Sequence, residues 1–481
     1  MIDKAKIAGL NLTGDALRPG ASRAWWLKEA LAAEHENACP PLAKNINADV
    51  VIIGGGFTGL WTAYFLTEAD PGLGVVVLER DICGGGPSGR NGGFASGWWD
   101  ELDGLVALHG TEAAVRTCQA ISASIDSIGE FCTVHGVDAW YRKAGYVFAA
   151  TATRHAEVCE EMIRLAREVG APEEMRPLTA EEVRARCESP AFRAGAYMKD
   201  GASVQPALLV RGLRRVLLGR GVVIHEGTMA TRLEDSQDAA VAVTARGSVR
   251  ARHAVLAVNA WATGWPQLRR RLVAWSSYIV LTAPAPERLQ AIHWTGGELV
   301  SDLRTSVRYF RTTRDGRIAF GGGGGRAGTA IGVSFTKDMR AVVEAAEGFR
   351  RLFPSFSDVP IVDAWGGPID VSPTHLPSIG SLKPNVHYAL GYTGNGVAPS
   401  HLAGRVLADL ITGADTDAMR LPIVRAPARL FPPQPLRALG AAVVRRAIIA
   451  KDTAEERGAR SNPLADAVAR LPRRFGYLLG P

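Results

Sequence analysis

The stretch Asp49-Val-Val-Ile-Ile53-Gly54-Gly-Gly56-Phe-Thr-Gly59 decides the fold. Residues 50–53 are apolar and β-branched, which is typical of a buried parallel strand. The first glycine of the motif permits a tight turn, the second lets a pyrophosphate approach the backbone, and the third lets a helix pack close to the strand. The stretch therefore predicts a strand, a glycine turn and a helix whose N-terminus binds phosphate.

The residues that follow complete one βαβ unit. They predict a helix over residues 60–69, a turn over 71–74 and a second strand over 75–78 that ends at Glu79. A carboxylate at that strand end accepts hydrogen bonds from both ribose hydroxyls of an adenosine and repels a 2′-phosphate. Because all these features occur together, a dinucleotide site is favoured over a coincidental glycine-rich turn.

A second glycine loop, Gly84-Gly-Gly-Pro-Ser-Gly-Arg-Asn-Gly-Gly93, comes directly after the βαβ unit. It combines permissive backbone positions with the polar side chains of Ser88, Arg90 and Asn91. A nicotinamide-binding domain would continue with regular βα units. The loop therefore favours a longer, flavin-containing ligand, and a flexible surface loop is the alternative.

A third glycine cluster, Gly391-Tyr-Thr-Gly-Asn-Gly396, lies between a strand over residues 386–390 and a helix that begins near Pro399. The N-terminus of such a helix can stabilise negative charge on a reduced flavin ring. An ordinary helix cap is the alternative. Since the first and third clusters lie more than 300 residues apart in the sequence, one ligand that contacts both implies a discontinuous domain.

These loops, together with Asn259-Ala-Trp261 at a strand end, resemble the FAD-dependent D-amino-acid oxidase superfamily, which includes glycine, sarcosine and amine oxidases. Ser88-Gly-Arg-Asn-Gly-Gly93 is similar, residue for residue, to gamma-glutamylputrescine oxidase-type enzymes. The resemblance covers roughly residues 45–420. It implies a mixed α/β (α+β) fold in which a Rossmann-like FAD-binding domain is interleaved with an antiparallel-sheet substrate domain, and a C-terminal helical tail follows.

The resemblance also implies a division of the chain and a set of cofactor contacts. The predicted segments are an N-terminal arm (1–47), the FAD-binding domain (48–110, 195–275 and 360–420), the substrate domain (111–194 and 276–359) and a basic tail (421–481). The predicted FAD-binding residues are Gly54, Gly56, Phe57, Thr58, Gly59, Glu79, Arg80, Ser88, Gly89, Arg90, Asn91, Gly92, Gly93, Ala230, Asn259, Trp261, Gly394, Asn395, Gly396 and Val397.

Some relatives attach the flavin covalently, through a Cys in the third glycine loop or a His after the second. Residues 391–396 contain no Cys and residues 92–99 contain no His, so noncovalent FAD is expected. The resemblance implies oxidation of a C–N bond of an amine or amino acid to an imine by hydride transfer to flavin N5. Hydrolysis of the imine follows, and the electrons pass to O₂ to give hydrogen peroxide.

Three alternatives stay open for the activity: a flavin amine dehydrogenase with another electron acceptor, a nicotinamide-dependent dehydrogenase, and a flavin-binding protein without turnover. The chemistry lies mostly in the cofactor, so the sequence predicts neither a nucleophile triad nor a metal site. His375 and His401 are isolated in the sequence and are interpreted as structural histidines.

The substrate pocket is the least constrained part of the sequence. Glycine-oxidase-like relatives grip a substrate carboxylate with an Arg where this chain has Thr313, which favours an amine with a remoter polar group over an α-amino acid. Arg308 or Arg311 could replace that Arg. The two residues are three positions apart on a strand predicted over 306–321, so their side chains lie on opposite faces of it. The predicted catalytic residues are Tyr278, Arg308, Tyr309 and Trp98, the aromatic ones as walls that favour a neutral amine. Core packing is the alternative for each aromatic.

The net charge of +7 belongs to the tail alone. Residues 421–481 hold 11 Lys+Arg and 4 Asp+Glu, whereas the other 420 residues hold 44 of each. A neutral body argues against nucleic acid as a partner. The tail predicts an amphipathic helix, for which docking on the protein's own surface and weak membrane-surface contact through residues 436–474 are alternatives.

Six cysteines without a CxxC pair and no apolar N-terminal stretch favour reduced thiols and a cytoplasmic protein.

Overall fold

The computed structural model describes residues 4–34, 38–235, 238–322, 324–332, 335–427, 429–459, 462–474 and 477. The strands are β1 (Ile46–Ile53), β2 (Val75–Leu78), β3 (Phe94–Ser96), β4 (Arg142–Lys143), β5 (Tyr146–Ala150), β6 (Met175–Thr179), β7 (Ala194–Met198), β8 (Gly201–Ser203), β9 (Val223–His225), β10 (Ala230–Asp235), β11 (Ala240–Thr244), β12 (Ser248–Leu256), β13 (Val273–Thr282), β14 (Leu299–Asp302), β15 (Arg308–Thr312), β16 (Ile318–Gly322), β17 (Ala327–Gly328), β18 (Ile361–Val371), β19 (Ser378–Lys383) and β20 (Val386–Leu390). The helices are α1 (Lys4–Gly9), α2 (Trp25–Ala32), α3 (Phe57–Ala69), α4 (Leu102–His109), α5 (Thr111–Val134), α6 (Thr153–Glu168), α7 (Ala180–Arg184), α8 (Pro206–Gly219), α9 (Pro286–Ala291), α10 (Met339–Leu352), α11 (Val397–Thr412), α12 (Leu436–Glu456) and α13 (Pro463–Arg474).

The first sheet is built around the strand that the sequence predicts. β1 pairs in parallel with β2 on one side and with β12 on the other, and β9 and β20 continue the parallel pairing. Val50 and Ile52 pack into one hydrophobic cluster, while Val51 and Ile53 pack into another on the opposite face. Because both faces are covered, the strand is apolar at successive positions rather than alternating.

The second sheet is mostly antiparallel, in the order β17-β13-β16-β15-β14-β5-β7-β6, with β18 beside β13. Its aromatic core lies between the sheet and α10 and includes Phe310, Phe320 and Phe349. The long strand predicted over residues 306–321 is wrong: β15 and β16 form a hairpin there. Gly316, at φ +80°, permits the reversal, and Asp315-Gly316 is a typical turn dipeptide.

The mixed α/β fold class with two interleaved sheets and a helical tail is confirmed. The boundaries between the parts of the chain that form the two sheets differ slightly from the predicted segment boundaries. β18 pairs with β13 along its whole length, so residues 361–371 lie in the second sheet, as does β7. Conversely, α5 packs against α11 beside the first sheet. The exact division into domains stays a prediction.

The arm and the tail both contact the body. In the arm, Trp26 is fully buried and its carbonyl accepts a hydrogen bond from Gln205; residues 1–3 and 35–37 of the predicted arm lie outside the described residues. In the tail, α12 packs one face inward, where Ala447 and Ile448 are buried. Residues 428, 460–461, 475–476 and 478–481 of the tail lie outside the description. Across the described ranges, no helix combines the length and apolarity needed to cross a membrane.

Candidate active site

One cavity of about 1420 Å³ runs from the β1–α3 turn to the second sheet. Pockets for a single small ligand measure roughly 300–1,000 Å³. The cavity is therefore large enough for a long ligand and a second, smaller molecule. Its wall includes residues from all three glycine loops, so segments that are distant in the sequence meet around it.

The first glycine loop forms the turn between β1 and α3. Gly54 has φ +117°, and a Cβ there would collide with the Ala257 carbonyl, so only glycine fits. Helix α3 begins at Phe57, earlier than predicted, because Gly56 is its N-cap. A cap residue without a side chain leaves the first turn open to the cavity, where backbone N–H groups and the helix dipole favour an anion.

The end of β2 carries the predicted acidic residue. Glu79 is 9% exposed, and its carboxylate accepts the N–H groups of Gly55 and Asp81, each at 2.8 Å. Burial raises the pKa of Glu79. Next to it, the Arg80 guanidinium lies 4.7 Å above the Trp261 ring, a cation–π contact. This end of the cavity has the character of a nucleoside site.

The second glycine loop is held by its own polar side chains. Arg90 donates from Nε to the Gly85 carbonyl at 2.9 Å and from Nη1 to the Gly366 carbonyl at 3.2 Å. Asn91 Oδ1 accepts the Gly93 N–H at 2.7 Å. Ser88 Oγ accepts the Phe57 N–H at 2.9 Å, which ties this loop to the first. The side chains thus shape the loop as well as line the cavity.

Arg311 supports the same loop from behind. It is 3% exposed, and its Nη1 donates to the carbonyls of Gly93 at 3.2 Å and Val204 at 2.5 Å. Burial lowers the pKa of Arg311 to about 9. Gly93, at φ +74°, leaves no room for a Cβ between the Val204 carbonyl and Arg311. Arg311 is therefore a structural support and does not replace the missing substrate-gripping Arg.

The third glycine loop closes the cavity beside the second. Asp370 Oδ2 accepts the Gly391 N–H at 2.5 Å, and burial raises the pKa of Asp370 to about 7. The hydroxyls of Tyr392 and Thr58 lie 2.8 Å apart and join this loop to α3. Helix α11 begins at Val397 with Gly396 as its N-cap, so a second helix N-terminus is directed at the cavity.

Most of the predicted cofactor residues line this cavity. They are Gly54, Gly56, Phe57, Thr58, Glu79, Arg80, Ser88, Arg90, Asn91, Gly92, Ala230, Asn259, Trp261, Gly394, Asn395, Gly396 and Val397. Gly59, Gly89 and Gly93 lie behind the wall, where each one permits a close backbone approach.

The end of the cavity at the second sheet, here called the chamber, is rich in charged groups. It includes Asp100, Glu101, Tyr146, Phe148, Asp302, Leu303, Arg304, Thr305, Ser306, Val307, Tyr309, His375 and Ile448. Asp302 is 1% exposed, and burial raises its pKa to about 6. Asp302 Oδ2, Asp100 Oδ1 and Arg304 Nε are buried and make no hydrogen bond among the described residues, while Asp302 Oδ2 lies 3.8 Å from Arg308 Nη1 and Arg304 Nε lies 3.7 Å from Asp452 Oδ2. Burial also raises the pKa of Asp100 to about 8. Buried polar atoms with incomplete hydrogen bonding are suited to a ligand that carries donors and acceptors.

His375 belongs to the chamber, contrary to its interpretation as a structural histidine. Its Nδ1 lies 2.9 Å from Glu101 Oε1, and its φ of +64° is a left-handed conformation that is strained for a non-glycine residue. His401 is structural, because it packs against the rings of Trp61 and Phe65.

Of the four predicted catalytic residues, only Tyr309 lines the cavity, and its hydroxyl lies 2.8 Å from that of Ser277. Tyr278 and Arg308 lie on the faces of their strands that are directed away from the cavity, because side chains alternate along a strand. Tyr278 lies in the aromatic core, where its hydroxyl accepts the Asp338 N–H, and Arg308 pairs with Glu456.

Trp98, the fourth predicted catalytic residue, is 2% exposed and packs in the hydrophobic cluster that covers the first sheet. The neighbouring acids Asp100 and Glu101 line the chamber instead. Sequence reasoning missed these acids, Asp302, Arg304 and His375. The alternation of side chains along β13 and β15 could have found the correct strand face.

Comparisons with known proteins agree with this geometry. The family model described as DAO, FAD dependent oxidoreductase, matches residues 49–410. The chain is 28% identical over 382 residues to "Probable oxidoreductase OrdL" of Haemophilus influenzae, covering 78% of this chain and 85% of that protein. It is also 28% identical over 375 residues to the Escherichia coli protein "Gamma-glutamylputrescine oxidoreductase", covering 77% of this chain and 85% of that protein.

Solved structures share the fold. The glycine oxidase from Geobacillus kaustophilus superposes with a TM-score of 0.63 at 20% identity, covering 77% of this chain and 96% of that one. The L-proline dehydrogenase from P. horikoshii superposes with a TM-score of 0.64 at 21% identity, covering 79% and 96%. At this identity, the likeness concerns the fold alone.

Proposed function

This chain belongs to the family of FAD-dependent oxidoreductases, and we propose that it oxidises the C–N bond of an amine to an imine, which water then hydrolyses, with O₂ as the electron acceptor and hydrogen peroxide as a product. One observation carries the proposal: a single cavity joins the dinucleotide cradle to a chamber lined by buried polar atoms that make no hydrogen bond within the described residues. The family resemblance inferred from the glycine loops is confirmed.

The chain binds FAD noncovalently, as predicted. The residues present fit the cofactor, because the Gly54 and Gly56 cradle meets a helix N-terminus suited to a pyrophosphate, and Glu79 lies where an adenosine ribose would hydrogen-bond. The third loop and α11 would contact the flavin ring. Cys83, next to the second loop, is fully buried, and burial raises the pKa of its thiol. Such a thiol stays protonated and unreactive.

When bound, FAD would supply the oxidising chemistry by accepting a hydride, which is a proton with two electrons, from the carbon beside the amine nitrogen. The protein's own residues orient the amine and control its protonation. Tyr146, Phe148 and Tyr309 line the chamber, and apolar walls favour a neutral amine over an ammonium ion. The Glu101–His375 pair is a group in the same chamber that can receive the proton the substrate loses.

The substrate we propose is an amine with a remote polar end. Asp302 Oδ2 is a free hydrogen-bond acceptor and Arg304 Nε a free donor. Asp100, whose pKa burial raises to about 8, is protonated near neutral pH and offers both a donor and an acceptor. A remote group that carries both an ammonium and a carboxylate would satisfy all three. γ-Glutamylputrescine, the compound in the name of one relative, has this chemistry and is the first candidate.

The decisive experiment is anaerobic reduction of the purified protein by a panel of amines, followed by admission of air. We expect an absorbance band near ~450 nm from the flavin, bleaching by γ-glutamylputrescine but not by glycine, and recovery in air with peroxide formed. Bleaching without recovery in air would assign a dehydrogenase with another acceptor. A flavin that no amine bleaches would leave a binding protein and overturn the proposal.

A cytoplasmic location with weak membrane-surface contact completes the proposal. All six cysteines are free and buried, which suits a reducing compartment. On α12, Leu436, Leu439 and Val443 are 64%, 61% and 50% exposed, as in an interfacial helix. Sedimentation with vesicles of phosphatidylglycerol and phosphatidylcholine tests the contact. We expect weak binding that Leu439→Glu abolishes, and equal sedimentation of both proteins would refute it.

A further inference from the structure

Helix α12 lies beyond residues 49–410, the part of the chain that the family model matches. Nevertheless, its inner face lies against the chamber. Ile448 is 6% exposed and is part of the cavity wall. Leu436, Leu439 and Val443 lie on the outer face in solvent. An element outside the family core therefore contributes directly to the site.

Asp452 holds the segment that covers the chamber. This residue is fully buried, and its two carboxylate oxygens accept the N–H groups of Thr305 at 3.2 Å and Ser306 at 2.8 Å. Lys451 Nζ donates to the Thr305 hydroxyl at 3.2 Å. Thr305 and Ser306 both line the cavity. A buried carboxylate with two backbone donors is strongly bound, so α12 fixes residues 303–307 in place.

Further contacts anchor α12 on both sides of Asp452. Glu456 pairs with Arg308 and lies 3.8 Å from Arg304 Nη1. Arg445 donates to the carbonyls of Gly324 at 2.6 Å and Gly325 at 2.7 Å. These contacts fix the rotation of the helix about its axis, and that rotation directs Ile448 into the chamber.

We propose that α12 is part of the substrate site: Ile448 is a specificity-determining residue that limits the length and bulk of the amine, and Asp452 is a positioning residue that holds residues 303–307, including Arg304, against the substrate. The assignment to a substrate rests on the proposed amine oxidation. The claim that Asp452 holds residues 303–307 in place does not depend on the proposed amine oxidation.

The test compares the holoenzyme variants Ile448→Trp and Asp452→Ala with Leu439→Trp, a bulky change on the exposed face of the same helix. The probes are straight-chain primary amines and diamines of increasing length, together with γ-glutamylputrescine, in anaerobic flavin bleaching. We expect Ile448→Trp to raise the concentration for half-maximal bleaching about tenfold or more for the longest amine accepted. The shortest amine should change less than about twofold, with its maximal rate unchanged.

Asp452→Ala should raise the half-maximal concentration for every amine about tenfold, because two backbone donors lose their acceptor and the loop loosens. Asp452→Asn keeps one acceptor, so its half-maximal concentrations should lie between those of the wild type and those of Asp452→Ala. Leu439→Trp should match the wild type. An unchanged dependence on chain length in Ile448→Trp would overturn the role of Ile448 while leaving the amine oxidation in place.

A second measurement needs no substrate. Trypsin cleaves after Arg304 and Arg308, one within and one directly after the segment 303–307 that Asp452 holds. We expect both sites to be cleaved at least about tenfold faster in Asp452→Ala than in the wild type or Leu439→Trp, at equal flavin content. Equal cleavage would refute the positioning role. If no amine bleaches any of the proteins, the proposed function fails, and the cleavage rates still decide whether α12 holds the loop.

Discussion

The Ser96 hydroxyl lies 3.1 Å from Oδ1 of Asn395, although 299 residues separate the two in the chain. Ser96 ends β3, just after the second glycine loop, and Asn395 belongs to the third. The hydrogen bond therefore joins the two loops that enclose the flavin site. Hydrogen bonds from Arg90 to the Gly366 carbonyl and from the Gly391 N–H to Asp370 also tie these loops to β18 of the second sheet, so the flavin site depends on contacts between the two sheets.

Gly54→Ala should abolish flavin binding. The residue has φ +117°, and a Cβ would collide with the carbonyl of Ala257, which directly follows β12, so the turn between β1 and α3 cannot keep its shape. We expect less than about a tenth of the wild-type flavin content, measured as the ratio of absorbance near ~450 nm to that near ~280 nm.

Gly219→Ala is the matched control, because a Cβ there meets nothing within 4 Å. Flavin content should then equal that of the wild type. A Gly54→Ala protein that retains its yellow colour would contradict the role given to this turn.

Arg311→Leu should weaken FAD binding without touching the cofactor. The carbonyls of Gly93 and Val204 would lose the donor that they share. Gly93 would keep the Val204 N–H, so the main cost is about 1–3 kcal/mol for the Val204 carbonyl. We expect the dissociation constant for FAD, titrated into the apoprotein, to rise at least about tenfold. Arg314→Leu is the control, since Arg314 is mostly exposed and pairs with Asp138 at the surface. Equal dissociation constants in the two variants would show that Arg311 does not support the loop.

The flavin cradle was predictable because its physics is local. The residues from Asp49 to Glu79 form consecutive elements, and each glycine has a mechanical reason that can be stated from the sequence. The family match and the parallel pairing of β1 with β2 bear out that unit. The helix start at Phe57 differed because a glycine N-cap gives no side-chain signal.

The chamber was not predictable in the same way, because its residues come from separate elements. Asp302 reaches it through the parallel pairing of β14 with β5, and His375 reaches it from the connection before β19. Neither the pairing of β14 with β5 nor the position of His375 has a local signal in the sequence. In the tail, an apolar stripe correctly indicated an amphipathic helix. It did not identify the docked face, because Asp452 on that face is buried through hydrogen bonds to backbone N–H groups.

Asp302 and Arg304 should distinguish the two charges of the remote end of the substrate. Asp302→Asn removes the negative charge and replaces one of the two acceptor oxygens that could bind an ammonium group with an N–H donor, and Arg304→Ala removes the donor for a carboxylate. For γ-glutamylputrescine we expect each variant to raise the half-maximal concentration in anaerobic bleaching about tenfold, the scale of one charged hydrogen bond. With a plain diamine, which lacks the carboxylate, Arg304→Ala should have little effect. Equal losses for both substrates would indicate a structural role for Arg304.

Acid should destabilise the protein through its buried histidines. Burial lowers the pKa of His155 and His387 to about 4 and that of His401 to about 3. Each stays neutral in the folded protein, whereas in the unfolded chain each binds a proton below about pH 6.5. Their contribution to stability is therefore complete above that pH and falls as the pH drops from about 6.5 toward the folded-state values.

The variant His401→Leu isolates the contribution of one of these histidines to the pH dependence of stability. His401 packs between aromatic rings, and its Nδ1 has no hydrogen-bond partner among the described residues, so Leu fills the site without removing a bond. From pH 7 to pH 5 we expect the free energy of unfolding in urea, at fixed FAD concentration, to fall about 2 kcal/mol less in the variant than in the wild type. From pH 7.5 to 9 the difference between the two proteins should stay constant, because the histidine is neutral in both states. Parallel curves down to pH 5 would mean that His401 is protonated in the folded protein, which is incompatible with its burial against Trp61 and Phe65.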